Sequence, residues 1–225
     1  MGHKVSPYAN RLGINEYWKS KWFFKKNFYV FLESDYIIRQ VIKEKLGKSA
    51  GITDVIIERK DPDHCRVIIR TAKPGNIIGR DGKKLKLIQQ EINKRLDILF
   101  KKNKLNQPAL EIVVEEVKKP TLYASFLAQL IALDIEKNKP VRGVIKKIIE
   151  RARQHKEIQG IKIRVSGRIG GASIHRSETI SWGKLPLSTL KAKIDYAFVE
   201  ALTKYGIIGI KVWLYKGASE EFKEE

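Results

Sequence analysis

The sequence predicts an α+β protein of two domains, each pairing helices with a sheet. Three observations carry this expectation. A chain of 225 residues with 43% hydrophobic content has material for two modest cores. Its first half places apolar stretches of helical and strand period in the order α-β-β-α-α-β. Beyond Pro120, two helical stretches precede several strands, the pattern of a two-layer α/β domain with a mostly antiparallel sheet. The expected divisions are an aromatic and basic arm over 1–34, a first domain over 35–119, a second over 120–217 and an acidic tail over 218–225.

In the arm, Tyr17, Trp18, Trp22, Phe23, Phe24, Phe28, Tyr29 and Phe31 interleave with Lys19, Lys21, Lys25 and Lys26. Aromatic rings among cations can stack on bases while the cations neutralise phosphates. The same rings can also pack onto a domain body. Residues 1–15, with His3, Lys4 and Arg11 but little apolar periodicity, read as a segment that orders on a partner. Asp35 then stands as the N-cap of a helix over 35–46, whose Ile38, Val41, Ile42 and Leu46 share one face, and Gly47 stops it. Strands over 52–59 and 66–71 flank a turn at Asp61-Pro62-Asp63 and pair antiparallel. A helix marked by Leu85, Ile88, Ile92, Leu96 and Leu99 follows, and residues 110–117 alternate as a third strand.

Between the second strand and that helix runs Lys-Pro-Gly-Asn-Ile-Ile-Gly-Arg-Asp-Gly-Lys-Lys, from Lys73 to Lys84. Glycines at 79 and 82 permit a sharp turn and a close backbone approach, and a helix N-terminus beside cations favours an anion. A Walker loop would need glycine in place of Ile77 and Ser or Thr in place of Lys84. A dinucleotide fingerprint would also need glycine at 77 and an acidic residue after a βα turn. The remaining pattern is the Gly-x-x-Gly clamp of a KH domain, which holds about four nucleotides by their backbone. The element order around it is that of the type II KH fold. Gly79, Arg80, Asp81, Gly82, Lys83 and Lys84 are therefore the first candidate RNA-binding residues.

In the second domain a helix over 121–137 carries Tyr123, Phe126, Leu127, Leu130 and Ile131 inward. The next buries Val141, Val144, Ile145, Ile148, Ile149 and Ala152, and turns Arg142, Lys146, Lys147, Arg151 and Arg153 outward, offset only by Glu150. Such a stripe suits either RNA or simple solvation. Residues 160–168 alternate with period two, placing Lys162 and Arg164 opposite Ile161, Ile163 and Val165; Arg168 follows. Further strands are expected over 174–182, 187–194 and 208–215, with a helix over 196–204.

Lys plus Arg total 45 against 25 Asp plus Glu, a net charge of +20 that implies a polyanionic partner. The N-terminus lacks an apolar signal run, no stretch approaches the roughly 18 apolar residues of a membrane span, and no lipidation motif appears. A cytosolic or organellar protein with no membrane partner is expected. Cys65 is the single cysteine, which excludes an internal disulfide, and histidines at 3, 64, 155 and 175 have no zinc spacing. A metal nuclease would need clustered carboxylates, and a lyase a lysine of depressed pKa. Asp61, Asp63 and His64 form the only tight group of that kind, at a turn, so no catalysis, metal or cofactor is expected.

The chain closely resembles the family of bacterial-type small-subunit ribosomal protein number three. The resemblance rests on Gly2-His3-Lys4-Val5 with Arg11-Leu12-Gly13-Ile14, on Gly79-Arg80-Asp81-Gly82, and on the run from Val165 through Ser166-Gly167-Arg168-Ile169-Gly170-Gly171 to Ala172. Further matches are Pro186-Leu187 with Ile194-Asp195-Tyr196, and the run from Tyr205 to Trp213. It implies a structural constituent of the small-subunit head that binds 16S-type ribosomal RNA, lines the channel by which mRNA enters and helps to unwind it. It also implies neighbours among the small-subunit proteins, numbers ten and fourteen in the head and four and five near the mRNA entrance. The family's Arg-Arg-x-x-Lys pattern on the basic helix is matched by Arg142 and Lys146 but departs at Gly143. A free KH-type regulator of transcription or translation is the alternative binding function.

Overall fold

The computed structural model of the protein describes residues 5–218, apart from the side chains of Asp81 and Ala218. His3, Lys4 and the acidic tail beyond residue 218 lie outside the described residues. The chain divides into two units: Lys19–Lys118, and the residues up to Trp18 together with those from Lys119 onward.

The first unit contains β1 (Ser20–Lys21), α1 (Phe28–Leu46), β2 (Ile52–Glu58), β3 (His64–Thr71), α2 (Pro74–Ile78), α3 (Lys83–Lys102) and β4 (Ala109–Glu116). Setting aside the short β1, this is the expected α-β-β-α-α-β order of a type II KH domain. The sheet runs β1-β2-β3-β4, antiparallel at its centre and parallel at both outer pairs. Spacings of three and four put Ile38, Val41 and Ile42 of α1, and Ile88, Ile92 and Leu96 of α3, on faces buried against Ile57, Val67 and Ile69.

Helix α1 begins at Phe28 rather than at Asp35, and Asn27 precedes it in a left-handed conformation. Asp35 is no cap. It lies mid-helix and accepts hydrogen bonds from Arg59 and from Trp22 Nε1, each at 2.8 Å. The stripe through Phe31, Ser34, Asp35 and Ile38 is a continuous buried face, interrupted by polar groups that find partners inside. The stretch expected to be an arm is thereby divided. Ser20–Lys21 pairs with β2, Trp22 and Phe24 pack on the core, and Phe28 onward is helix.

The second unit contains α4 (Ala124–Glu136), α5 (Val141–Arg153), β5 (Gly160–Gly167), β6 (Arg176–Gly183), β7 (Ala192–Thr203) and β8 (Gly206–Ala218). Its sheet, ordered β6-β5-β8-β7, is antiparallel throughout. Helix α4 packs on β7 and β8, and α5 on β5 and β6, so both helices cover one face. Leu127, Ile131, Ile145 and Ile148 meet Ile163, Val165, Ile210 and Val212 in the core between the layers.

Two expected elements are corrected. Residues 196–204, expected as a helix, belong to β7, and residues 187–191 are irregular. Ala197 and Ala201 stand four apart, as a helix would place its buried residues. The pairing of Tyr196 with Trp213, and of each residue onward to Thr203 with Gly206, settles the matter. Ala197 and Ala201 point to the helices, while Phe198, Glu200 and Leu202 point away.

Candidate nucleic-acid interface

The glycine turn joins the short α2 to the long α3 through one 3-10 turn, Arg80–Gly82. Pro74 opens α2, whose end is closed by the Gly79 N–H donating to the Gly75 carbonyl at 2.9 Å. Gly79 has φ 72°, and a Cβ there would stand 2.8 Å from Lys84 Cβ. It is needed both for its dihedral angle and for the packing of one helix end against the next. Gly82 precedes α3 with φ 70°, yet a Cβ there would meet nothing within 4 Å. Its surface is open to an approaching backbone. Gly82, at the N-cap, has no side chain to cap α3, and the first N–H of the helix, that of Lys83, donates to the Arg80 carbonyl. Arg80, Lys83 and Lys84 are exposed around the turn. Lys84 Nζ donates to the Asn76 carbonyl at 2.7 Å and so braces the turn as well as charging it.

Helix α5 carries the second group. Its inner face, Val141 through Ala152, is buried, which forces Arg142, Lys146, Lys147 and Arg151 outward together with Glu150. Arg142 Nε donates to Glu178 Oε1 of β6 at 3.1 Å, although its side chain is 79% exposed. Arg153 is less available, since its guanidinium lies 5.1 Å from the centre of the Trp182 ring. At Gly143 an added Cβ would meet only Pro140 Cγ, at 3.6 Å, so the position has room for a side chain.

Lys162 and Arg164 are half-buried on the sheet face away from the helices. Arg168 is exposed but directed: Nε donates to the Ala172 carbonyl and Nη1 to that of Tyr205, at 2.9 and 3.2 Å. Arg11, expected among the RNA contacts, is instead 1% exposed. It donates to the carbonyls of Pro7, Leu187, Thr189 and Ala192. Burial lowers its pKa. The residue ties the leading segment to the strand entering β7 and presents no free fork to a phosphate.

The arm aromatics separate by burial. Phe31 joins the core, with Trp22 and Phe24 packed against it, whereas Tyr17, Trp18, Phe23 and Tyr29 stay exposed. The sequence reading missed Tyr196, Phe198 and Trp213, which share the sheet face with Lys162 and Arg164. Reading residues 196–204 with period two would have found the first two of these residues.

The described residues contain no group of three or more His, Cys, Asp or Glu able to hold a metal, and no helix long and apolar enough to cross a membrane. Cys65 is buried in β3, and burial pushes its thiol up to about 11, far from a reactive thiolate.

A family model described as "KH domain" matches residues 37–122, and one described as "Ribosomal protein S3, C-terminal domain" matches residues 131–214. The chain is 44% identical over 220 residues to the small ribosomal subunit protein uS3 of Thermosipho africanus, covering 98% of this chain and all of that one. It is 43% identical over 217 residues to the proteins of the same name from Koribacter versatilis and Lawsonia intracellularis. Those matches cover 96% of this chain and 92% and 96% of theirs. With a Gly-x-x-Gly turn seated between α2 and α3 in one unit, and two helices on one face of an antiparallel sheet in the other, the chain belongs to the small ribosomal subunit protein uS3 family, whose members are not enzymes.

Proposed function

We propose that this protein is a structural constituent of the small-subunit head, holding ribosomal RNA and lining the channel by which messenger enters. The observation that carries the reading is the outer face of α5. Four cations, Arg142, Lys146, Lys147 and Arg151, project from a helix whose other face is buried, so their positions are held by a packed core. Neutralising phosphates with such a row displaces counterions, which binds any sequence alike, as a channel for all messages requires. The glycine turn of the KH domain supplies a separate hold on a nucleic-acid backbone, suited to ribosomal RNA. The relatives' name, small ribosomal subunit protein, supports assembly into that particle; the location proposed is the cytoplasm, with an organellar ribosome as the alternative. The neighbours proposed are the proteins numbered ten and fourteen in the head, and four and five near the messenger entrance.

In this role Arg142 and Lys146, one turn apart, track successive phosphates of a messenger strand and help to part it from its complement. A crosslinking map of the protein within purified small subunits tests the proposal. Crosslinks from residues 142–151 to messenger, and from residues 79–84 to RNA, are expected. Helix α5 crosslinking to protein alone would remove the channel role. Loss of the protein from subunits sedimented at moderate salt would favour a free regulator.

A further inference from the structure

Both helices of the C-terminal unit lie on one side of its sheet, and alternate strand residues face the other side. The two central strands, β5 and β8, carry Lys162, Arg164, Lys211 and Trp213 there, and β7 adds Tyr196 and Phe198. Their registers align them in rows. Lys162 pairs with both Ser181 and Trp213, and Trp213 with Tyr196; Arg164 pairs with both Thr179 and Lys211, and Lys211 with Phe198. Each row therefore runs from a hydroxyl through a cation to an aromatic ring.

The rings stand beside the cations, Phe198 exposed and Tyr196 and Trp213 half-buried with their planes 42° apart. Tyr196 and Trp213 lie 5.3 Å apart between centroids, and the ammonium of Lys162 is 5.7 Å from the Trp213 ring. Lys211 Nζ is 5.8 Å from the Phe198 ring. A Cβ at Gly209 would come 3.3 Å from that ring, so the glycine lets Phe198 lean over β8. Phe198 nevertheless keeps 49% of its surface exposed. Tyr196 and Phe198 are two residues apart on one strand, about 6.6 Å. Among the described outward positions of these strands, Glu200 alone is acidic, against three cations.

We propose that this open sheet face is a second binding surface for single-stranded nucleic acid, stacking bases on Phe198 and on the Tyr196–Trp213 pair while Lys162, Arg164 and Lys211 neutralise phosphates. Charge and placement favour a nucleic acid over a protein partner. Charged residues are depleted at the centre of protein–protein interfaces, whereas here the cations occupy the two central strands between π faces. Four-stranded sheets that bind RNA use this combination, with two or three bases stacked on sheet aromatics. The surface rests on the reading that the chain binds RNA, but it lies on the side of the unit away from α5. It acts independently of the channel-facing cations.

The test uses the full chain and two probes of about ten nucleotides, an oligoadenylate and an abasic strand with the same phosphates. Phe198→Leu removes a ring from an exposed position, so folding, checked by circular dichroism, is retained. It is expected to weaken oligoadenylate binding about 5-fold or more, to leave abasic binding unchanged and to leave the salt slope unchanged. Lys211→Gln is expected to weaken both probes and to reduce the magnitude of the salt slope by about 0.7. Equal oligoadenylate affinity in Phe198→Leu and parent, or an equal loss on both probes, would overturn the proposal. A photo-crosslinker at position 198 in assembled small subunits should capture RNA. Capture of protein alone would make the face a protein-docking surface and the proposal wrong. Substituting Arg142 and Lys146 probes the channel reading separately, because neither residue lies on this face.

Discussion

Arg59 and Asp35 meet at 2.8 Å inside the KH domain with their side chains 0% and 4% exposed. Arg59 also donates to Ser34 Oγ at 2.8 Å, and its guanidinium lies 5.3 Å from the Phe31 ring and 5.9 Å from that of Trp22. Trp22 in turn donates to the second Asp35 oxygen. This cluster joins the segment before α1, the helix itself and the end of β2. Asp35→Ala would leave a buried guanidinium without its counter-charge, and urea unfolding should show a loss of about 3–5 kcal/mol. Replacing both partners with apolar residues of similar volume should cost much less, since no charge is then left unpaired.

The glycine turn offers a contrast between two substitutions. Gly79→Ala combines a left-handed backbone with a contact closer than real Cβ atoms make, and should lower stability by about 1–3 kcal/mol. Gly82→Ala meets only the dihedral strain, about 1–2 kcal/mol, because the space above it is open. Gly82→Val should in addition obstruct an approaching RNA backbone. Arg80→Asp with Lys83→Asp should weaken RNA binding and leave the circular dichroism spectrum unchanged, both side chains being exposed. Undiminished binding in that folded variant would make the turn purely structural.

Binding of the isolated protein to single-stranded RNA should depend steeply on salt and little on sequence. With about four phosphates engaged, at a slope of about −0.7 each, affinity should fall about 50-fold between about 50 and 200 mM salt. Fluorescence anisotropy at several salt concentrations measures this, and a flat response would exclude a phosphate-led mechanism.

Gly143 breaks the cation row of α5 and lowers the intrinsic helix propensity by about 1 kcal/mol relative to alanine. The room for a Cβ there means that Gly143→Arg should stabilise the helix slightly and add a phosphate contact. Ribosomes carrying it should pass a stable messenger hairpin faster, and those with Arg142→Ala and Lys146→Ala more slowly. Both should translate unstructured messages at the parental rate. Equal slowing on both kinds of message would mark α5 as an assembly surface.

Cys65 links stability to alkaline pH. Its thiol is raised from an ordinary 9.0 to about 11 by burial. The unfolded chain therefore loses this proton first. The stability it confers is complete below pH 9.0 and is lost as pH rises through about 11. The shift corresponds to about 2–3 kcal/mol. Cys65→Ala should reduce the decline in stability between those pH values relative to the parent, as urea titrations at several pH values would show.

The sequence alone determined the KH element order, the glycine turn, the buried and basic faces of α5, and the half-buried β5, because each is written in a local period or in residue types with one conformational use. Gly79 and Gly82 are legible for that reason: a positive φ is costly for other residues. Asp35, Arg11 and residues 196–204 were not legible. A buried carboxylate, a buried guanidinium and a strand with alanines four apart acquire their roles from partners distant in the chain: Arg59, the carbonyls at 187–192, and β8. Only the tertiary structure could decide that Arg11 is spent on backbone carbonyls while Phe198 and Trp213 stand beside Lys162 and Lys211. Long-range pairing sets which face of a strand meets water, and a single strand's own residues do not record what lies across from them.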